Sequence, residues 1–503
     1  MPRYKPVERN GLFIPVVLED QIQPGTFQFA LHHLVDEELD LTALDAKFRN
    51  DATGASAYDP RVMLKIVLLA YSRGLITSRR IERACQQNVL FMAVSGDARP
   101  CYTHIAKFVR ELGANIQPLF AQVLMTCDRL GLIGCAMFAI DGVKLPANAS
   151  KERSGTHAEL AHRAERLDKA AAKIVAQHQA QDERGESLDN RRQARIDELR
   201  REARKTRECI ATQPKRVNRK GSELKTNLTD PDSAKMATSK GVIQGYAAQA
   251  AVDSAHQIIV AADITGSGSE QAMLLPMIEQ ASLREAHTLI TADAGYFSDD
   301  NIASLYDKNI PALIADNAMR QRDESIDNAH HRAKADALYD KRGAAARPIK
   351  FFRPEHFVFH DNDTATCAAG KTLMSNGATY GQRGHRFQRY EADAGDCADC
   401  ALRSQCLRNP NATRGRQVAR FERRAVDAQH PSALMRRAID SAHGRALYSR
   451  RIATVEPVFA NIRHHKRMSR FTLRGKSKVA AQWQLYCLVH NIEKIATKAM
   501  REG

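Results

Sequence analysis

The chain has 503 residues, of which 43% are hydrophobic, and this length allows roughly two to four domains with a substantial core. Lys and Arg number 75 against 58 Asp and Glu, and the resulting net charge of +17 favours a polyanionic partner, with nucleic acid as the leading candidate over a generically basic surface. No apolar run reaches the roughly 18 residues of a membrane span, and the first residues lead into no signal-peptide core. We therefore expect a cytoplasmic protein with no membrane partner.

Apolar residues recur at helical spacing in the N-terminal region. Pro60 begins one of these segments, and proline favours the first turn of a helix. A compact helical unit over 1–110 is compatible with helix-turn-helix DNA binding and also with a plain helical bundle. The predicted helices cover 27–34, 41–48, 60–71, 78–85 and 112–130.

Two apolar runs each end on an aspartate that is followed closely by a glycine. The first run, 132–140, leads into Asp141 and Gly142, and the second, 287–292, leads into Asp293. A carboxylate at the end of a buried strand costs stability unless its charge is neutralised, which makes a metal ion a natural partner. For Asp141 alone, a strand that ends in an Asp-Gly turn is the simpler explanation. Two such strand ends in one mixed sheet can converge on the same side.

Between the two aspartates the pattern changes twice. Residues 157–225 carry apolar side chains at intervals of three and four, which predicts an antiparallel helical hairpin. Over 242–317 the pattern alternates between strand and helix, with a hairpin of strands at 245–252 and 257–265.

The region 318–440 is polar and poor in pattern, and it contains a Cys-x-x-Cys pair with two further cysteines. Four thiolates can close a tetrahedral zinc site that stabilises a domain with little apolar core. Reduced free thiols explain the same residues equally well. The four cysteines are Cys367, Cys397, Cys400 and Cys406.

The last region, 441–503, is predicted to be helical on both sides of a basic loop. At about 100° per residue, Tyr448 and Glu456 fall on one inward face, although Pro457 opens or kinks a helix at this point. The dense positive charge of the loop fits DNA phosphates better than a generic surface. Trp483 belongs to an apolar helix face, so we expect a core residue rather than a base-stacking wedge. The loop residues expected to contact DNA are Lys466, Arg467, Arg470 and Arg474.

Taken together, the segments 138–145, 291–298 and 455–459 resemble those of bacterial insertion-sequence transposases of the DDE type. Their Tyr-Arg-Glu-Lys signature is found in modified form, because the interval from Arg451 to Glu456 is one residue longer than usual and an arginine replaces the lysine. Arginine keeps the charge and adds a planar fork for phosphate. The modified signature comprises Tyr448, Arg451, Glu456 and Arg463.

The resemblance implies an α/β, ribonuclease-H-like fold with a mixed five-stranded sheet. A helical N-terminal DNA-binding or accessory domain, an inserted helical hairpin and a cysteine-bearing insertion accompany this sheet. The expected domains are 1–110, the catalytic core 111–317 with its hairpin at 157–225, the insertion 318–440, and the C-terminal helices 441–503.

The resemblance also implies phosphodiester cleavage at transposon ends and strand transfer into target DNA, catalysed with two Mg²⁺ or Mn²⁺ ions. Asp141 would bridge both ions, and Asp293 and Glu456 would each complete one set of ligands. Tyr448, Arg451, Arg463 and Lys144 would contact DNA. The partners are transposon-end and target DNA, and we expect a homodimer on paired ends and a nucleoid-associated location in a bacterium. The alternatives are a structure-specific nuclease and a non-catalytic DNA-binding repressor.

Overall fold

The computed structural model describes residues 15–48, 56–182, 190–217, 221–238, 241–323, 351–382, 385–409, 411–421 and 428–502. The chain divides into two compact units, one formed by 1–319 with 435–503 and the other by 320–434. Within the described ranges, no helix is both long and apolar enough to cross a membrane. The mixed α/β architecture of the first unit is consistent with the expected ribonuclease-H-like fold.

The N-terminal region is helical, as the apolar spacing predicts. The helix predicted at 60–71 begins at Pro60, where the Asp59 side chain accepts a hydrogen bond from the Arg61 backbone N–H and caps the first turn. Its Lys65 is buried because its ammonium pairs with Asp36 at 2.9 Å. The helices are α1 (Phe27–His33), α2 (Thr42–Asp45), α3 (Pro60–Ser72), α4 (Ser78–Gln87), α5 (Val89–Ser95), α6 (Tyr102–Leu112) and α7 (Ile116–Arg129).

A mixed sheet forms the centre of the first unit. Its strands are β1 (Met137–Pro146), β4 (Ala234–Thr238), β5 (Gly241–Asp253), β6 (Ile259–Thr265), β7 (Leu289–Ala292) and β8 (Ala312–Ile314), and the short strands β2 (Ser154–Gly155) and β3 (Thr226–Asn227) form a separate two-stranded sheet. The order is β4-β5-β1-β7-β8, and β6 pairs with β5 as the predicted hairpin. β1 is antiparallel to β5 and parallel to β7. The described sheet thus has six strands, one more than predicted, because β4 pairs with the start of β5.

The predicted helical hairpin consists of α8 (His157–Asp182) and α9 (Asn190–Thr212). Ala171, Ile196 and Leu199 form its own small apolar core. β2 and β3 pair at its base, immediately before α8 and after α9. The predicted turn at 185–187 lies outside the described residues. Two further helices connect the later strands, α10 (Leu274–Gln280) and α11 (Asp299–Asp307).

The second unit contains an antiparallel sheet of its own with the order β13-β12-β11-β10-β9. Its small core includes Phe357, Leu373 and Tyr390. The elements are β9 (Val358–Phe359), β10 (Thr364–Thr366), β11 (Thr372–Gln382), β12 (His385–Ala392), α12 (Ala394–Ala398), α13 (Arg403–Cys406) and β13 (Gln417–Phe421).

The C-terminal helices are α14 (Pro431–Asp440), α15 (Ala442–Ala460) and α16 (Lys476–Glu502). α16 packs against both the N-terminal helices and the sheet of the first unit. Its Tyr486 stacks on Tyr71 of α3, with ring centroids 4.5 Å apart. Its Asn491 side chain accepts a hydrogen bond from the backbone N–H of Ile259 in β6 and donates one to the carbonyl of the same residue. Trp483 is fully buried and donates to the Gln249 carbonyl of β5 at 2.8 Å, so it is the core residue that the sequence predicts.

Candidate active site

The register of two neighbouring strands places the predicted aspartates side by side. In the parallel pair of β1 and β7, Ile140 lies opposite Ala292, and the next residues along the chain are Asp141, still in β1, and Asp293, just after the end of β7. The two carboxylates interact electrostatically, as expected for converging strand ends. Asp141 does not end its strand, however, because β1 stays paired with β5 as far as Pro146. It marks instead the point where β1 separates from β7.

The glycine after Asp141 is needed for packing rather than for a turn. Gly142 lies opposite Gln249 of β5, and a Cβ at this position would lie 2.4 Å from Gln249 Nε2. Gln249 is fully buried, and its side-chain oxygen accepts a hydrogen bond from the Tyr296 hydroxyl. The Asp-Gly pair and the Tyr296 that follows Asp293 therefore belong to one packed layer beneath the aspartates.

Arg451 of α15 is the cation nearest to Asp141. Its Nη1 donates to Asp141 Oδ2 at 2.8 Å, and its guanidinium lies over the Tyr448 ring, 5.6 Å from the centroid. Burial raises the pKa of Asp141, the nearby Asp293 raises it further, and Arg451 and the Gly142 N–H oppose these effects. The structure thus brings two signature residues to the aspartates, with Arg451 paired to a carboxylate.

Glu270 is a third acid at this position, and it was not predicted. It follows β6 in a loop and lies near both aspartates. Burial raises the pKa of Glu270, the carboxylates of Asp293 and Asp141 add to this effect, and the positive charge of Lys144 opposes it. The only available signal was a single acid in a Gly/Ser-rich loop after an apolar strand. We refer to Asp141, Asp293, Glu270 and Arg451 as the carboxylate site.

Glu456, the third acid predicted from the sequence, does not join this site. It is exposed on α15, and no hydrogen bond or ion pair between described residues links it to either aspartate. On a regular helix it lies about 140° around the axis from Arg451. The predicted inward face is wrong, because Arg451, Val455 and Val458 point inward while Glu456 does not.

Pro457 lies inside α15 without ending the helix. A proline removes the hydrogen bond to the carbonyl four residues earlier, which here belongs to Ala453. Gln257, in the turn between β5 and β6, donates its side-chain Nε2 to this carbonyl at 3.2 Å. The helix therefore continues to Ala460, where a π-helical turn, Asn461–His465, follows.

The predicted DNA-contacting residues after α15 differ in exposure. Arg463 and Arg467 are exposed, and Arg470 and Arg474 are exposed while also hydrogen-bonding the 147–148 loop. Lys466 contradicts the prediction, because it is fully buried and its ammonium pairs with Glu493 at 2.6 Å. A charge run in a sequence does not distinguish a solvated lysine from one that is paired inside the core.

The cysteine cluster, formed by Cys367, Cys397, Cys400 and Cys406, lines one cavity of about 30 Å³ in the second unit. The four are free thiols, and the backbone N–H groups of Lys371 and Arg416 donate to the sulfurs of Cys367 and Cys397 at 3.3 and 3.4 Å. Over the part of the chain that is described, no three His, Cys, Asp or Glu side chains have the spacing of a metal-binding group. Zinc therefore stays a prediction without structural support.

Two family models match the chain. Residues 366–496 match a Transposase DDE domain, and residues 16–111 match a Transposase domain (DUF772). The first match contains Tyr448, Arg451 and Glu456 and excludes both aspartates. No significant match was found among curated proteins or among solved structures. Both matches are to transposase domains, and together they support an insertion-sequence transposase of the DDE type.

Proposed function

We propose that this transposase cleaves phosphodiester bonds at transposon ends and joins the freed 3′ ends to target DNA, with Asp141 and Asp293 as catalytic carboxylates. The observation that carries the proposal is the register of β1 and β7, which makes the two aspartates neighbours on one edge of the sheet. The strand order, with β6, β5 and β1 antiparallel and β7 and β8 parallel to β1, supports a ribonuclease-H-like core.

The donor set suits a divalent cation that prefers oxygen ligands, such as Mg²⁺ or Mn²⁺. Carboxylate oxygens are the ligands in question, and one of them, Glu270 Oε1, is buried without a hydrogen-bond partner of normal geometry. When bound, such ions activate the attacking oxygen and stabilise the leaving one. Asp141 and Asp293 would hold them, and Arg451 would balance the negative charge of Asp141 when the ions are absent.

The DNA partners follow from the family and from the charge of the chain. A net charge of +17 and the exposed Arg463, Arg467, Arg470 and Arg474 favour binding to DNA phosphates. We propose that the chain acts as a homodimer on two transposon ends and that target DNA binds to the same assembly.

The test is a cleavage and joining assay with the full-length protein. The substrate is a labelled duplex carrying the terminal inverted repeat that flanks the coding region, with a supercoiled plasmid as target and a scrambled-end duplex as control. We expect cleavage at the end and joined products with Mg²⁺ or Mn²⁺, and neither in EDTA. Cleavage without joining would favour a structure-specific nuclease, and binding without cleavage would favour a repressor.

A further inference from the structure

We propose that the exposed face of the sheet in the second unit binds single-stranded DNA by stacking unpaired bases on a row of aromatic rings. The row crosses three strands and consists of Tyr380 in β11, Phe387 in β12 and Phe421 in β13. We refer to these three residues and Arg389 as the stacking face. Binding at this face goes beyond the proposed cleavage and joining, because it requires neither the carboxylate site nor a metal ion.

The strand register places the three rings on one side of the sheet. Phe387 lies opposite Tyr380 on one neighbouring strand and opposite Phe421 on the other. Directly opposed residues of antiparallel strands share a face of the sheet, so their side chains are neighbours. The Phe387 ring centroid lies 5.7 Å from that of Tyr380 and 5.2 Å from that of Phe421. The rings therefore form one continuous row.

The row lies on the side of the sheet that faces away from the small core of the second unit. Side chains alternate between the two faces of a strand, and Tyr390 of β12 belongs to the core, so Phe387 and Arg389 lie on the other face. Val418 of β13 is also a core residue, and Phe421, three positions later, is 51% exposed. An exposed ring keeps apolar surface in contact with water, and a stacked base would cover this surface.

Positive charge accompanies the rings. The Arg389 guanidinium lies over the Tyr380 ring, 4.7 Å from its centroid, in a cation–π contact. Arg386 and Arg420 are exposed, and each immediately precedes a phenylalanine of the row in the chain. A planar guanidinium stacks on bases and also binds phosphate oxygens. Arginines beside exposed aromatic rings thus complement both the bases and the charge of a nucleic acid strand.

The acid on the same face lies away from the rings. Glu391 is opposite Met374 on β11 and Gln417 on β13. Arg389 lies between Glu391 and Phe387 along β12, so the positive charge is the one nearer to the row. The aromatic end of this face is therefore the part that suits a polyanion.

Aromatic rings on a sheet favour unpaired bases over a duplex. In duplex DNA the bases stack on one another and present only their edges in the grooves. In a single strand each base exposes its π face, and stacking on an aromatic side chain contributes about 1–3 kcal/mol per base with little dependence on sequence. We therefore expect the stacking face to bind single strands without a strong sequence preference.

The test is DNA binding by the full-length protein in buffer without divalent cations, measured by fluorescence anisotropy. The probe is a labelled oligo-dT of about 20 nucleotides, which exceeds the roughly 4–16 nucleotides that one such surface covers. A blunt duplex of unrelated sequence is measured in parallel. Phe421→Ala should weaken oligo-dT binding at least about fivefold, the lower end of the contribution of one stacked base, and should leave duplex binding unchanged.

Two further variants separate stacking from a loss of structure. Met374→Ala, the matched control, truncates an apolar side chain that is 61% exposed on the same face, and its oligo-dT affinity should stay at the wild-type value. Phe421→Trp should retain oligo-dT binding, because an indole also stacks on bases. Bound oligo-dT should quench the introduced indole, whereas the native Trp483 is fully buried in the first unit and should not respond.

Equal oligo-dT affinity in the wild type and Phe421→Ala would overturn the inference, and so would an unquenched indole in Phe421→Trp. Self-association of the wild type that Phe421→Ala abolishes, with unchanged oligo-dT binding, would instead assign the face to a second copy of the chain. Thermal unfolding checks that each variant is folded. The assay contains neither a metal ion nor a transposon end, so its result is independent of whether the protein cleaves and joins DNA.

Discussion

The two aspartates of the carboxylate site and the four cysteines of the cysteine cluster are both predicted from sequence as metal ligands, but their surroundings differ. The aspartates stand on paired strands, and their oxygens are engaged by Arg451 and by the N–H groups of Gly142 and Gly295. The cysteines surround a small cavity whose walls include Phe352, Phe357 and Leu373. In both places the structure brings together side chains that the sequence predicts to lie close to each other. At the carboxylate site an ion pair between Arg451 and Asp141 is present, whereas the cysteine sulfurs accept hydrogen bonds from backbone N–H groups.

The largest effect is expected on catalysis. Asp141→Asn or Asp293→Asn should lower cleavage and joining by at least about 10³-fold while DNA binding is retained, because each removes a negative charge from the proposed metal ligands. Cleavage assays and gel shifts on the same preparations measure the two quantities. Asp307→Asn, at the exposed end of α11, is the control and should cut normally. Residual cutting near the wild-type rate in Asp141→Asn would remove Asp141 from the mechanism.

The ion pair of Arg451 with Asp141 should make a large contribution to stability. The side chains are 11% and 21% exposed, so Arg451→Ala leaves a mostly buried carboxylate without its cation and should cost about 3 kcal/mol at neutral pH. Urea unfolding measures this cost.

The loss should also depend on pH. Without Arg451 the pKa of Asp141 rises further above its ordinary value, because burial and Asp293 are then opposed by the Gly142 N–H but no longer by a cation. A carboxyl with a raised folded-state pKa destabilises the fold once it is ionised, so its cost is absent at low pH and grows as the pH rises through that pKa. The difference in Tm between wild type and Arg451→Ala should therefore be larger at pH 8 than at pH 4. An equal difference at both values would contradict the assignment.

A smaller loss of stability is expected at Gly142. Gly142→Ala places a Cβ 2.4 Å from Gln249 Nε2, which forces the buried amide and its Tyr296 partner to move, at a cost of about 1–3 kcal/mol. Gly381→Ala is the control, since nothing lies within 4 Å of its added Cβ. Thermal unfolding distinguishes the two, and equal Tm values would show that Gln249 adapts freely.

The smallest effect concerns the thiols. Burial raises the pKa of Cys406, whereas a hydrogen bond to the Thr103 side chain lowers the pKa of Cys101, so Cys101 carries more thiolate at pH 8. We expect iodoacetamide to label Cys101 several times faster, as measured by peptide mass spectrometry. Four cluster cysteines that stay unlabelled until a chelator is added would instead indicate bound zinc, and the contrast between the two sites would disappear.

The sequence predicts local structure well where the period of apolar residues is unambiguous, as in α3 and in the β5–β6 hairpin. It also predicts that Asp141 and Asp293 meet, because two apolar strands in one sheet leave few other arrangements. The third acid at the site was missed, since Glu270 lies in a loop whose path depends on tertiary contacts. The buried face of α15 was misassigned because periodicity shows which residues share one face of a helix and does not show which face is turned toward the core. Lys466 was misassigned because its partner, Glu493, is 27 residues away in the chain.

The position of α16 has a consequence for biosynthesis. This helix lies between α3 on one side and the sheet on the other, and its Trp483 and Asn491 contact backbone groups of β5 and β6. A ribosome delivers Lys476–Glu502 after every other element of the first unit. Until then, the apolar surfaces of α3 and of the sheet that α16 covers stay open, and Gln249 beneath the aspartates lacks the Trp483 contact. Nascent chains halted before α16 should therefore bind chaperones and lack transposase activity.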